Sequence, residues 1–305
     1  MAELREEGGE RRCILMAEHL IGRGPQCALR LTPKYVSTQH AVIRWSGKGW
    51  ELIDRASRNG TRLNGDTIEP GRAHRMDKGS VVSFGHPEQC WALVDASEPQ
   101  VMVLTLESGQ VFLENFGMIG IPSAESPELT LFKDADGFWR MEDSEGTVRG
   151  LRNGQPFEFG GQSYVFSCPS SNDLTASIGT AVQRAAPTLK FVVSSDEDFV
   201  ELSIEYANKS VALGSRAHNY LLLTLARQKL ADSAEQIPAA SCGWMDKDQL
   251  AGGLRMTPQQ IDGEIFRIRR HFASHGVPES SSVVERRERT RLIRLGLDKV
   301  LVERN

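Results

Sequence analysis

Short apolar runs broken by turn residues fill residues 13–96. The stretches 12–16, 40–45, 50–53 and 80–84 each read as a strand. Asn64-Gly65 lies between Thr61-Arg62-Leu63 and Asp66-Thr67-Ile68, which predicts a tight hairpin with both central residues at positive φ. No helical period interrupts this region, so the expected class is an all-β sandwich over 11–96. Residues 100–167 are also strand-rich, at 101–106, 110–112, 129–132, 138–141 and 163–166. The stretch 168–187 is rich in Ser, Ala, Thr and Pro and reads as a linker.

The pattern changes over 188–305. Strand-like runs at 189–193, 199–206 and 210–213 precede three helical patterns, giving an α+β domain. Ser215 is expected to cap a first, strongly apolar helix through Tyr220-Leu221-Leu222-Leu223, and 246–254 reads as a second. Thr257-Pro258-Gln259-Gln260 is a capping box with Pro at the first helical position. Ile261, Ile265, Ile268 and Phe272 then follow at i, i+4, i+7 and i+11, one narrow stripe at about 100° per residue. Gln259, Gln260, Gly263, Arg267, Arg270 and Ser274 fall on the opposite face. Beyond this helix, 283–285 and 291–295 can pair as a hairpin, with Arg286, Arg287, Arg289 and Arg291 in or beside its turn.

Charge sharpens this division. The 305 residues carry 36 Lys and Arg against 40 Asp and Glu, a net of −4, which argues against a uniformly basic nucleic-acid coat. Residues 255–305 alone carry 11 against 7, a net of +4, so positive charge gathers on the last helix and hairpin. Arg and Gln on a helix face are the side chains that read base edges in a major groove, and arginines beside a turn suit phosphates. No apolar run reaches 18 residues, and the charged start lacks a signal-like apolar core, so a cytoplasmic location is expected. The five cysteines form no CxxC and read as reduced thiols. No nucleotide loop, zinc-protease or hydrolase motif occurs, and no carboxylate pair stands out. An enzyme, a cofactor and a metal site are therefore not expected.

Four motifs in order carry a family resemblance: Gly22-Arg23, Ser37-Thr38-Gln39-His40, Ser57-Arg58-Asn59-Gly60 and Asn64-Gly65. Together they resemble the forkhead-associated (FHA) domain, a phosphothreonine-peptide reader. The resemblance implies that Arg23 and Ser37 contact the phosphate, that Thr38 and Arg58 flank it, and that Asn59 holds the peptide main chain. Gly22, His40, Gly60 and Asn64 would support the loops. Thr38 stands where the family often has Asn or Arg. Segment 100–167 echoes the same pattern at Met118-Ile119-Gly120-Ile121 and Gly137-Phe138-Trp139, but without the phosphate-binding signatures. It reads as a degenerate second copy or as an unrelated β-domain.

The order over 189–303 resembles the OmpR-like effector domain of response regulators, a winged helix. That resemblance implies double-stranded DNA contacts by Gln259, Gln260, Gly263, Arg267, Arg270, Arg286, Arg287, Arg289 and Arg291. The expected whole is a transcription regulator that reads a phosphothreonine partner, a Ser/Thr kinase or its substrate. The alternative is a scaffold in such a kinase pathway that binds no DNA. Membrane contact is not expected, and the oligomeric state is open.

Overall fold

The computed structural model describes residues 1–169, 187–206 and 209–305, so almost all of the expected 168–187 linker lies outside the described residues. Eleven strands cover the first segment: β1 (Glu3–Glu6), β2 (Arg12–Ile14), β3 (Glu18–Gly22), β4 (Leu29–Arg30), β5 (Ala41–Trp45), β6 (Trp50–Asp54), β7 (Thr61–Leu63), β8 (Asp66–Thr67), β9 (Ala73–Met76), β10 (Val81–Phe84) and β11 (Cys90–Asp95). They form two sheets, β2-β1-β11-β10-β7-β8 and β4-β3-β5-β6-β9. Alternation along the strands supplies the core between them. Leu4, Val82, Phe84, Trp91 and Leu93 come from one sheet, and Ile21, Ile43, Trp50 and Leu52 from the other, all essentially solvent-free. The Asn64-Gly65 hairpin has φ of 54° and 92°, as two positive-φ positions require.

Eight strands follow: β12 (Met102–Thr105), β13 (Val111–Leu113), β14 (Met118–Ile121), β15 (Leu129–Lys133), β16 (Trp139–Asp143), β17 (Val148–Gly150), β18 (Pro156–Phe159) and β19 (Gln162–Ser167). Their sheets are β13-β12-β19-β18 and β14-β15-β16-β17. Matched in chain order, these repeat β2-β1-β11-β10 and β3-β5-β6-β9, with the short extra strands missing. Contacts nevertheless divide the segment. Strands β12, β13, β18 and β19 belong with the first sandwich in a unit of Met1–Glu114 and Arg152–Ser171. Strands β14 to β17 belong to the second unit, Asn115–Leu151 with Asn172–Asn305. In the first unit Met16 packs with Met102, Leu104 and Val165, and the Ala17 N–H donates to Ser167 Oγ at 3.1 Å.

The rest of the second unit comprises β20 (Thr188–Val193), β21 (Val200–Tyr206), β22 (Lys209–Ser215), α1 (Asn219–Ala234), β23 (Met245–Asp246), α2 (Lys247–Gly253), α3 (Pro258–Ser274), β24 (Val284–Arg286), β25 (Leu292–Leu295) and β26 (Lys299–Arg304). Strand β26 runs parallel to β20 in a sheet ordered β22-β21-β20-β26, and β25 pairs with both β23 and β24 in a sheet ordered β23-β25-β24. Ser215 is not a cap: it ends β22, and α1 begins after His218, which makes no side-chain cap bond. Buried Asn219 instead fixes the turn, donating to Val200 O at 3.0 Å and Gly214 O at 2.9 Å. Thr257 and Gln260 do form the capping box of α3, and Ile261, Ile265, Ile268 and Phe272 are all buried in one core with α1 and β20 to β22. No described helix is long and apolar enough to cross a membrane.

One buried histidine makes acid sensitivity testable. His19 is fully buried, its Nδ1 accepting from Met16 N–H at 3.2 Å, and burial pushes its pKa down to about 4. A histidine held neutral contributes stability that is complete above its unfolded value of 6.5 and is lost as pH falls from there toward 4. The loss amounts to about 3 kcal/mol at pH 4. In an NMR titration the His19 ring resonances should stay fixed through pH 6. A midpoint near 6.5 would contradict the neutral, buried assignment.

Candidate functional site

Three connections meet at one end of the first sandwich: β3 to β4, β4 to β5, and β6 to β7. The Gly22 backbone lies so close to the second connection that a Cβ there would sit 2.5 Å from Thr38 O and 2.9 Å from Ser37 O. Glycine is therefore required by space. That closeness lets the Arg23 N–H donate to Ser37 O and the Gly24 N–H to Thr38 O, both at 2.9 Å. Arg23 itself is exposed, and its Nε reaches Val36 O at 3.3 Å, leaving the terminal guanidinium nitrogens for a ligand. Ser37 Oγ accepts from the Arg58 N–H at 3.0 Å, so its own proton remains to be donated. Asn59 Nδ2 donates to Tyr35 O at 2.8 Å, which joins the third connection to the second. Thr38, Arg58 and Asn59 are exposed beside them.

A buried layer holds these loops. His40 Nδ1 accepts from the Ser37 N–H at 3.0 Å, and its Nε2–H donates to Gly60 O at 3.1 Å, which fixes the neutral ring. Burial lowers the His40 pKa, against opposing pulls from Gly60 O and the Asp54 carboxylate. Asp54, fully buried at the end of β6, accepts from Ser57 N–H at 2.9 Å, Ser57 Oγ at 2.6 Å and Thr61 Oγ1 at 2.5 Å. Burial pushes its carboxyl up, but these bonds and nearby His40 outweigh it and hold the pKa below the usual carboxylate value. Asn64 Oδ1 accepts from the Val81 N–H at 2.8 Å and anchors the hairpin. Asp54 was not singled out in the sequence. Its signal is the Asp-x-x-Ser spacing that ends a strand just before Arg58-Asn59.

The expected helix-and-hairpin residues do not form one open face. Gln259 is exposed, while the Gln260 side chain is taken up by the cap, accepting from Thr257 N–H at 2.6 Å. Gly263 is buried, and a Cβ there would meet Glu125 O at 2.5 Å. Arg267 pairs with Glu264 at 2.7 Å and donates to Glu125 O at 3.3 Å. Arg270 lies over the Phe266 ring. Arg286 is a correction to the reading of a turn arginine. Its side chain is only 6% exposed, 2.8 Å from Asp262, 3.5 Å from Glu142 and 3.1 Å from Ser144 O. A guanidinium buried this deeply needs fixed acceptors, and the carboxylates and carbonyl supply them. Arg287, Arg289 and Arg291 are exposed. Arg287 stacks near Trp244, and Arg291 pairs with Asp248 at 2.8 Å.

Two buried cations here were not anticipated. Arg269, 2% exposed, donates to Glu142 Oε2 at 2.5 Å and to Val284 O at 2.6 Å. Lys247 reaches Asp262 at 3.1 Å and Ser144 O at 3.2 Å. Helical periodicity places Arg269 one turn after Ile265, beside the apolar stripe, which is the signal available in the sequence.

Residues 19–85 match the model of the FHA domain, which spans β3 to β10 and every motif residue from Gly22 to Asn64. The FHA domain of FhaA, solved with the intracellular domain of Rv3910, is 29% identical. The match covers 30% of this chain and 98% of that one, with a TM-score of 0.27. A chain solved for a study of phosphothreonine-dependent FHA domain interactions is 28% identical over 30% of this chain and 92% of its own, also at 0.27. Mycobacterium tuberculosis EmbR, in complex with a low-affinity phosphopeptide, is 23% identical over 32% of this chain and 25% of its own, at 0.29. No curated protein matches the chain. Residues 19–85 are an FHA domain.

Proposed function

We propose that the chain is a phosphothreonine-responsive regulator without catalytic activity of its own. Its FHA domain binds a phosphothreonine segment of a partner protein, and its C-terminal region acts as a winged helix on duplex DNA. The carrying observation is the locked Arg23–Ser37–Arg58 arrangement: a free guanidinium end and a free hydroxyl proton, set on adjoining loops by backbone bonds. A phosphothreonine brings close to two negative charges and three acceptor oxygens, which suit those donors. Arg23 and Ser37 take the phosphate, Asn59 takes peptide backbone, and Thr38 and Arg58 meet flanking residues. On the DNA side, Gln259, Arg267 and Arg270 approach bases, while Arg287, Arg289 and Arg291 meet phosphates.

A second reading rests on the covered helix. With Gly263 against Glu125 O and Arg286 buried, the C-terminal region works as a scaffold surface that binds no DNA. The two readings separate in a mobility-shift titration of mixed duplex DNA with the full chain. A DNA-binding regulator loses affinity steeply with salt, and its binding curve moves when saturating phosphothreonine peptide, but not the unphosphorylated peptide, is added. No shift at low salt, with or without peptide, selects the scaffold.

A further inference from the structure

Sheet β14-β15-β16-β17 meets the α3–hairpin surface with two of its connections. The β14–β15 connection brings the Glu125 carbonyl over Gly263 and within 3.3 Å of Arg267 Nη1. The β16–β17 connection brings Ser144 O to Lys247 Nζ at 3.2 Å and to Arg286 Nη1 at 3.1 Å, and Glu145 O to the Arg289 N–H at 3.1 Å. At the end of β16, the Glu142 carboxylate faces both Arg269 and Arg286. Beneath these polar contacts Phe266 of α3 is buried against Met118 and Phe132, with Ala124 at the edge. Every polar group that the sheet supplies in these contacts is an acceptor, and every group it meets on α3, α2 or the hairpin is a donor.

The direction of these bonds has a chemical meaning. A duplex offers a binding helix and wing a row of anionic and carbonyl acceptors, and cations on the protein supply the donors. Glu142 stands to Arg269 and Arg286 as a phosphate would, and the carbonyls of Glu125, Ser144 and Glu145 stand as neutral acceptors. The connectivity gives the source of this surface. In the first sandwich, the connections from β3 to β5 and from β6 to β9 carry Arg23, Ser37, Arg58 and Asn59. Their counterparts in strand order, β14 to β15 and β16 to β17, carry Glu125, Ser144 and Glu145 and no arginine.

We infer that sheet β14–β17 is a built-in competitor of duplex DNA, a repeat of the FHA strand order whose ligand-end connections occupy the chain's own helix–wing surface. The inference rests on the DNA reading of that surface. Opening the contact uncovers Gly263 and Arg267 and takes Glu142 and Ser144 O from Arg269 and Arg286, which keep Val284 O and Asp262; closing it restores them. Buried Arg269 and Arg286 cannot be left without acceptors at low cost, so the contact exchanges one set of acceptors for another.

The test uses the full chain in four forms: the parent, Ala124→Trp, which wedges the β14–β15 connection off Phe266, Glu142→Gln, which removes the anionic acceptor but keeps its shape, and the two combined. Hydrogen exchange of α3 amides reports opening, circular dichroism reports folding, and fluorescence anisotropy on a mixed-sequence duplex reports binding. The expected result is faster α3 exchange with at least tenfold tighter duplex binding than the parent, and a steeper salt dependence. Opened variants that bind the duplex no better than a binding-competent parent overturn the competition and leave the DNA reading standing. Opened variants and parent that all fail to bind bring down the DNA reading and the inference with it. If neither variant nor their combination raises α3 exchange, the sheet is a permanent part of the domain and the inference fails.

Discussion

Replacing Arg23 with Ala abolishes phosphothreonine-peptide binding and leaves thermal unfolding of the chain unchanged. The side chain is exposed, and its one bond is Nε to Val36 O at 3.3 Å, so the fold loses little. The backbone bond that sets the loop, Arg23 N–H to Ser37 O, does not depend on the side chain. A charge-assisted bond to a phosphate contributes about 1.5–3 kcal/mol, so each bond lost weakens binding about ten- to a hundredfold, and losing both terminal nitrogens takes it below detection. Arg23→Lys keeps the charge but not the planar fork and should fall between the two. Calorimetric affinity equal to the parent's would remove Arg23 from the site.

His40→Ala has a different signature, because it damages the fold and the site together. The ring joins two loops through the Ser37 N–H and Gly60 O, and it packs edge-on to Phe84. Truncation leaves the Ser37 N–H without its acceptor, takes one of two donors from Gly60 O, which keeps the Gly85 N–H, and opens a cavity, at about 2–4 kcal/mol. Ser37 and the Arg58-Asn59 connection then lose their common support, so peptide affinity falls with stability. The same link makes peptide binding acid-sensitive. His40 has a lowered folded pKa, so its stabilisation is complete above 6.5 and declines as pH drops below it. Urea unfolding and peptide titration of one His40→Ala preparation should both show the loss. Retention of both would mean that His40 is not the tie between the loops.

How legible these features were depended on whether their cause is local. The sandwich and its ligand loops follow from local chemistry. Strand alternation, the Asn64-Gly65 turn and the small residue at Gly22 each act within a few positions, and the first three motifs lie at the three converging connections, with Asn64-Gly65 on the next turn. Strand β1 carries no apolar alternation, because Glu3, Arg5 and Glu6 flank a single apolar residue. Leu4 alone points into the core there, and pairing with β2 and β11 makes the strand. The sequence puts the cap of α1 at Ser215, because a hydroxyl before an apolar run is the usual cap. Asn219, bonded across to β21 and the end of β22, moves the start to a later residue.

The helix α3 shows the limit most clearly. Its period gave the buried stripe correctly, yet a single helix cannot reveal that a sheet more than a hundred residues earlier in the chain covers its other side. Gly263 looked like an allowance for a duplex and instead admits the Glu125 carbonyl. Arg286 looked like a wing cation and instead joins the Asp262–Glu142 network. Both depend on long-range packing, which hydrophobic periodicity does not encode.

The central claim is phosphate-dependent peptide recognition by the Arg23–Ser37–Asn59 end of the FHA domain. Its most direct measurement is a calorimetric titration of the full chain with a degenerate threonine peptide pool, phosphorylated and unphosphorylated, with a phosphoserine pool alongside. The account predicts saturable binding of the phosphothreonine pool, at least hundredfold weaker binding of the unphosphorylated pool, and loss of the signal in Arg23→Ala. Equal binding of the phosphorylated and unphosphorylated pools, or phosphopeptide binding that survives Arg23→Ala unchanged, would contradict it.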